Sequence, residues 1–114
     1  MLQRFDVVLV PFPFVDGDNV KARPAIVLAL GERHGDVLLM FMSSRREMPA
    51  AFDEIDLLSS KAGFGQTGLK VSFRARITRL VTLSKILVKR RIGQLPEGIQ
   101  QRLRNRIVEV IAAP

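Results

Sequence analysis

The chain has 114 residues, enough for one domain and one core. It is 47% hydrophobic and 25% charged, a composition that excludes disorder, and it has no cysteine, which excludes disulfides, thiolate zinc sites and cysteine nucleophiles. The net charge of +7 favours polyanionic ligands and is unevenly spread: residues 1–60 carry six basic and nine acidic side chains, residues 61–114 twelve and two.

Val7 to Val10 reads as a strand that Pro11 and Pro13 close, and Asp6 interrupts the apolar N-terminal stretch where a signal peptide needs continuity. Turn formers from Asp16 to Lys21 make Val15 to Ala22 an expected exposed, mobile connection with Arg23 at its exit. Pro24 to Ala29 and Val37 to Ser43 are apolar runs joined by Gly31 to Asp36, which predicts two buried neighbouring strands. Neither run approaches the roughly 20 residues that span a bilayer, so no membrane association is expected, and the lack of cysteine makes the cytoplasm the expected compartment.

Phe52 to Leu57 alternates imperfectly and predicts a strand at a sheet edge, and the glycine-rich Lys61 to Gly68 predicts a loop. From Leu69 to Leu83 one long or bent strand is expected. Within it Val71, Phe73, Ala75 and Ile77 alternate with Ser72, Arg74, Arg76 and Thr78, which puts both arginines on one, basic, face. Pro96 to Ile111 is the convincing helix, with Ile99, Leu103, Ile107, Val110 and Ile111 on one stripe and Arg102, Arg104 and Arg106 expected in solvent. Short strands followed by one terminal amphipathic helix predict a mainly β fold: a compact, strongly bent sheet or small barrel with the helix packed on it, as a single domain over residues 1–114.

The residue inventory narrows the chemistry. His34 is the lone histidine and sits in a glycine-flanked turn, so a two-histidine ribonuclease mechanism is not available. No set of His and carboxylates has metal-ligand spacing, and Gly63, Gly65 and Gly68 lack the GK[ST] of a phosphate loop; no metal and no cofactor are expected. Arginine charge, serine or threonine hydroxyls and backbone amides remain for work on a phosphoester.

Two segments, Asp6-Val-Val-Leu-Val-Pro-Phe-Pro-Phe-Val-Asp-Gly17 and Lys21-Ala-Arg-Pro-Ala-Ile-Val-Leu28, resemble the opening of MazF/PemK-like toxins: a strand, a flexible loop and an Arg-Pro strand. Val37 to Ser44, Gly68 to Val71, Arg76 to Lys85 and Arg90 to Leu95 follow in the family's order, with the helix last. Where that family often has a glycine before the first aspartate, this chain has Phe5. The resemblance implies an SH3-like or CcdB-like barrel that dimerises, a metal-independent endoribonuclease acting on single-stranded RNA, and a cognate antitoxin from a neighbouring gene. Residue by residue, it implies that Arg23 and Ser43 are catalytic and that Arg76 binds RNA; Lys21, Ser44 and Arg74 are the further candidates for RNA binding. Ser44 replaces Ser43 as the site hydroxyl if the strand register is off by one. Two other readings stand beside it. One is a gyrase-poisoning toxin of the CcdB type, although that type ends in Trp-Gly-Ile and this chain reads Ile111-Ala-Ala-Pro114 with no tryptophan. The other is a small barrel that binds nucleic acid without cutting it.

Overall fold

A computed structural model describes residues 1–12 and 21–114. Six strands, β1 (Asp6–Phe12), β2 (Lys21–Leu30), β3 (Asp36–Ser43), β4 (Glu54–Leu57), β5 (Phe73–Ser84) and β6 (Arg90–Gln94), precede the helix α1 (Glu97–Ile107). They form one sheet in the order β4-β5-β3-β2-β1-β6, every neighbouring pair antiparallel. The register shifts once along β1·β6, once along β2·β3 and once along β3·β5, and such irregularities bend a sheet and raise its twist.

The apolar runs of β1, β2 and β3 are continuous because both faces of the sheet are covered. Val7, Ile26, Met40, Ile77 and Leu95 belong to one cluster, which Leu103 of α1 completes. Val8, Val10, Ala25, Val27, Val37 and Leu39 form the second on the opposite face. Adjacent residues such as Val7 and Val8 serve different clusters, as the two-residue period of a strand requires.

Several elements differ from the sequence expectation. β4 begins at Glu54 rather than Phe52, and β5 at Phe73 rather than Leu69. The expected loop Lys61 to Gly68 contains a 3-10 turn, Phe64–Thr67, whose buried Thr67 hydroxyl donates to the Phe64 carbonyl at 2.7 Å and accepts the Leu69 amide at 3.1 Å. This turn lies backbone to backbone against β6. Gly68 takes φ +73° and faces the Ile92 carbonyl, while Gly93 abuts the Gln66 and Thr67 backbone, so a side chain at either position would collide with main chain. The helix ends at Ile107 and continues as a π turn, Val108–Ala112, which leaves Ile111 exposed rather than on the core stripe. Arg104 and Arg106 are also not simply solvated: their guanidinium groups lie over the rings of Phe5 and Phe52, 4.9 and 4.6 Å from the centroids.

Two contacts close the β1 end of the sheet. The Asp6 carboxylate, 1% exposed, accepts hydrogen bonds from the Gln3 amide (2.7 Å), Arg91 Nε (2.9 Å) and Gln94 Nε2 (3.2 Å), tying β1 to β6. Phe5, in place of the family's glycine, takes a left-handed φ of 70°. Its buried ring belongs to the first cluster, its amide donates to the Val27 carbonyl at 2.6 Å, and its carbonyl accepts from the Leu95 amide at 2.9 Å.

Candidate functional site

The register between β2 and β3 ends at Ala25 opposite Phe41. Beyond that point Lys21 to Pro24 pair with β1, while Met42 and Ser43 pair with β5, so the two central strands part. A cavity of about 360 Å³ occupies the fork, lined by Ala22, Arg23 and Pro24 on one side and by Phe41, Met42, Ser43 and Ser44 on the other, with Phe12, Arg45, Phe73, Arg76 and Arg79 completing it.

The local sequence explains each contribution. Pro24 restricts the preceding residue to extended backbone and is itself buried at the fork, which fixes the direction in which exposed Arg23 leaves β2. The Arg23 guanidinium lies 6.0 Å from the centre of the Phe12 ring, and no ion pair to it is found among the described residues. Phe12 and Phe41 are tilted against each other with centroids 6.2 Å apart. Ser43 Oγ accepts the amide hydrogen of Arg45 at 3.1 Å, so its own hydrogen remains to be donated.

Arg76 and Arg79 reach the cavity through an irregularity of β5. Met42 pairs with Ala75 and Met40 with Leu80, so the four residues Arg76 to Arg79 stand opposite Phe41 alone. Strict alternation would send residues 76 and 79 to opposite faces; the bulge brings both to one opening. Arg79 and Arg45 are therefore site residues that the sequence reading missed. Arg45 follows two serines in a segment without periodicity, and the bulge that carries Arg79 has no signature in an alternating pattern.

The structure thus brings Arg23, Ser43, Ser44 and Arg76 to one cavity, with four guanidinium groups and, among the described residues, no acidic side chain in its lining. Lys21 is exposed at the start of β2 opposite Phe12 and outside that lining. Most of the expected mobile connection Val15 to Ala22 lies outside the described residues; Lys21 and Ala22 belong to β2 instead.

Arg74 is a correction. It does share a face with Arg76, but that face is not basic, because β4 sets Asp56 directly across from Arg74 and Glu54 across from Arg76. Arg74 is 6% exposed. Its Nε and Nη2 donate to the two Asp56 carboxylate oxygens at 2.7 and 3.2 Å, and Nη2 also donates to the Met48 carbonyl at 2.7 Å. The Asp56 hydrogen bond, opposed by burial and helped by the Asp56 and Glu54 charges, holds the guanidinium above the ordinary arginine pKa. Such a group is committed to its protein partners rather than offered to RNA.

Residues 3–111 match the family described as "PemK-like, MazF-like toxin of type II toxin-antitoxin system". The chain belongs to this family. Its partner is accordingly an antitoxin, and the match sets aside the CcdB-type alternative. None of the curated protein sequences matches the chain. The fold is similar to an endoribonuclease in complex with its cognate antitoxin from a mycobacterial species, with TM-score 0.72, 13% identity and coverage of 100% of this chain and 98% of that one. It is also similar to the Mycobacterium tuberculosis toxin MazF-mt6, with TM-score 0.66, 16% identity and 91% and 93% coverage. A further endoribonuclease from a mycobacterial species gives TM-score 0.71 at 12% identity, with 99% and 93% coverage. These likenesses show the fold, a mainly β sheet with a C-terminal helix. Among the described residues no three His, Cys, Asp or Glu side chains come together, and no helix is long and apolar enough to cross a membrane.

Proposed function

We propose that residues 1–114 act as one cytoplasmic toxin domain that cleaves single-stranded mRNA by attack of the RNA's own 2′-hydroxyl, without a metal ion. The fork between β2 and β3 carries this reading. It presents Arg23, Arg45, Arg76 and Arg79 with two serine hydroxyls and three phenyl rings around one opening, a set that matches phosphates and unstacked bases.

In this mechanism the 2′-hydroxyl gives its proton to water as its oxygen attacks the adjacent phosphorus, and the expelled 5′-oxygen of the next nucleotide takes a proton from water, leaving a 2′,3′-cyclic phosphate and a 5′-hydroxyl. Arg23 lies against the non-bridging oxygens and stabilises the charge that builds on them. Ser43, whose acceptor side is occupied by the Arg45 amide, donates its hydrogen to the same phosphate. Lys21, Ser44 and Arg76 bind the flanking backbone, and Phe12 and Phe41 offer faces to the bases. The toxin works as a homodimer and is restrained by an antitoxin from a neighbouring gene, whose acidic extended segment competes for the cationic fork.

Incubating the protein with a long unstructured RNA in EDTA tests the reading. Discrete cuts bearing cyclic phosphate ends are expected; intact RNA favours a binding module that does not cut.

A further inference from the structure

Behind the cavity a chain of charges connects Arg76 to the segment between β3 and β4. Buried Arg74 grips Asp56 and the Met48 carbonyl, and its Nη1 lies 3.6 Å from Glu54 Oε1. The same Glu54 oxygen accepts the Ala51 amide at 2.9 Å, and its other oxygen lies 3.8 Å from Arg76 Nε. One arginine and one glutamate therefore link a cavity cation to two points of the segment that starts with Ser44 and Arg45.

We infer that Arg74 is a positioning residue for nucleic-acid binding, bracing the β3–β4 segment through Met48 and satisfying Glu54 so that Arg76 stays available to a phosphate. This rests on the reading of the fork as an RNA site. The Glu54 side chain is 19% exposed and the Arg76 side chain 42%. A carboxylate so poorly hydrated needs a cation. With Arg74 beside it, Glu54 leaves Arg76 at a loose 3.8 Å. With Arg74 neutral, Glu54 and Asp56 both lose their counter-charge, and Arg76 is the cation already in contact with Glu54. It would close on Glu54 and be lost to the ligand.

The experiment is fluorescence anisotropy with a short single-stranded RNA 2′-O-methylated throughout, which binds but cannot be cut by internal attack, titrated at several salt concentrations. Arg74→Gln should weaken binding about tenfold and flatten the log affinity against log salt slope by about 0.7, the loss of one phosphate contact. Adding Glu54→Gln should restore the slope and part of the affinity, because nothing then captures Arg76 while the Met48 brace stays lost. A merely structural Arg74 predicts weaker binding at an unchanged salt slope, because a smaller folded fraction still binds through the same phosphate contacts. That result, or wild-type binding by a folded Arg74→Gln, would overturn the inference. If Arg74→Gln does not fold, Asp56→Asn tests the brace from its other side: Arg74 turns fully to Glu54, and binding should hold or tighten, by up to about threefold. Weaker binding by folded Asp56→Asn overturns it. A wild-type chain that binds this RNA yet leaves natural RNA intact removes the nuclease reading and not the brace, whereas a wild-type chain that binds neither this RNA nor natural RNA removes both.

Discussion

Ser43 Oγ accepts the amide hydrogen of Arg45 at 3.1 Å, which orients the hydroxyl at the end of β3 before any ligand arrives. In the proposed mechanism its one hydrogen goes to a phosphate oxygen. Ser43→Ala should therefore lower the cleavage rate roughly tenfold to a hundredfold, the worth of a hydrogen bond to a charged group at about 1.5–3 kcal/mol. Ser43→Thr should retain most activity. Ser44→Ala, measured in the same single-turnover assay, should act on RNA affinity instead, and a larger rate loss at Ser44 than at Ser43 would exchange their roles.

Arg23→Ala should abolish toxicity, at a cost of about 3 kcal/mol in the transition state or roughly a hundredfold in rate. The fold should survive, since Arg23 is exposed and forms no ion pair among the described residues. Arg23→Lys should recover little, because an ammonium is a point charge and lacks the planar fork of donors. Growth after induction, paired with thermal unfolding, checks both halves; an inactive variant that is also unfolded would remove the assignment.

At Phe5 the usual order of truncations should invert. The left-handed φ of 70° costs a residue with a Cβ about 1–2 kcal/mol, whereas losing the buried ring costs about 3–5 kcal/mol. Both Phe5→Ala and Phe5→Gly should destabilise, but alanine keeps the backbone strain and glycine does not. Phe5→Gly should thus be the more stable of the two by about 1 kcal/mol in urea unfolding. Equal or reversed stabilities would show that the ring does not hold the backbone there against its preference.

Asp6 joins β1 to β6 through three hydrogen bonds while almost wholly buried. Asp6→Ala leaves the Gln3 amide and the Gln94 amide without this acceptor, and a loss of about 2–3 kcal/mol is expected. Arg91→Ala should cost at least as much, because it leaves the buried Asp6 charge with two neutral donors and no cation. Thermal melts of the two variants order them directly.

The fold was largely legible because its core strands are simple. Val7 to Val10, Pro24 to Ala29 and Val37 to Ser43 are apolar throughout, and a sheet covered on both faces needs that pattern. The position of Arg23 at the start of β2 was legible through the proline that follows it. β6 was not, since Arg90 to Gln94 has one large apolar residue, Ile92, and owes its place to Gly93 packing on the Gln66 and Thr67 backbone. Arg74 misled for a related reason: alternation reports which face a side chain takes, not what the neighbouring strand puts there, and β4 lies about 20 residues away in sequence. Arg79 required the bulge opposite Phe41, which depends on pairing and not on any residue pattern.

In the proposed mechanism the nucleophile belongs to the RNA, and the fork only holds and stabilises the phosphate. Once a cut site is mapped in EDTA, the nucleotide 5′ to it is replaced by its 2′-deoxy form with the rest of the substrate unchanged. Cleavage at that bond should stop while binding persists, with the unmodified RNA still yielding a 2′,3′-cyclic phosphate and a 5′-hydroxyl. Continued cleavage of the deoxy substrate at the same bond would contradict this mechanism.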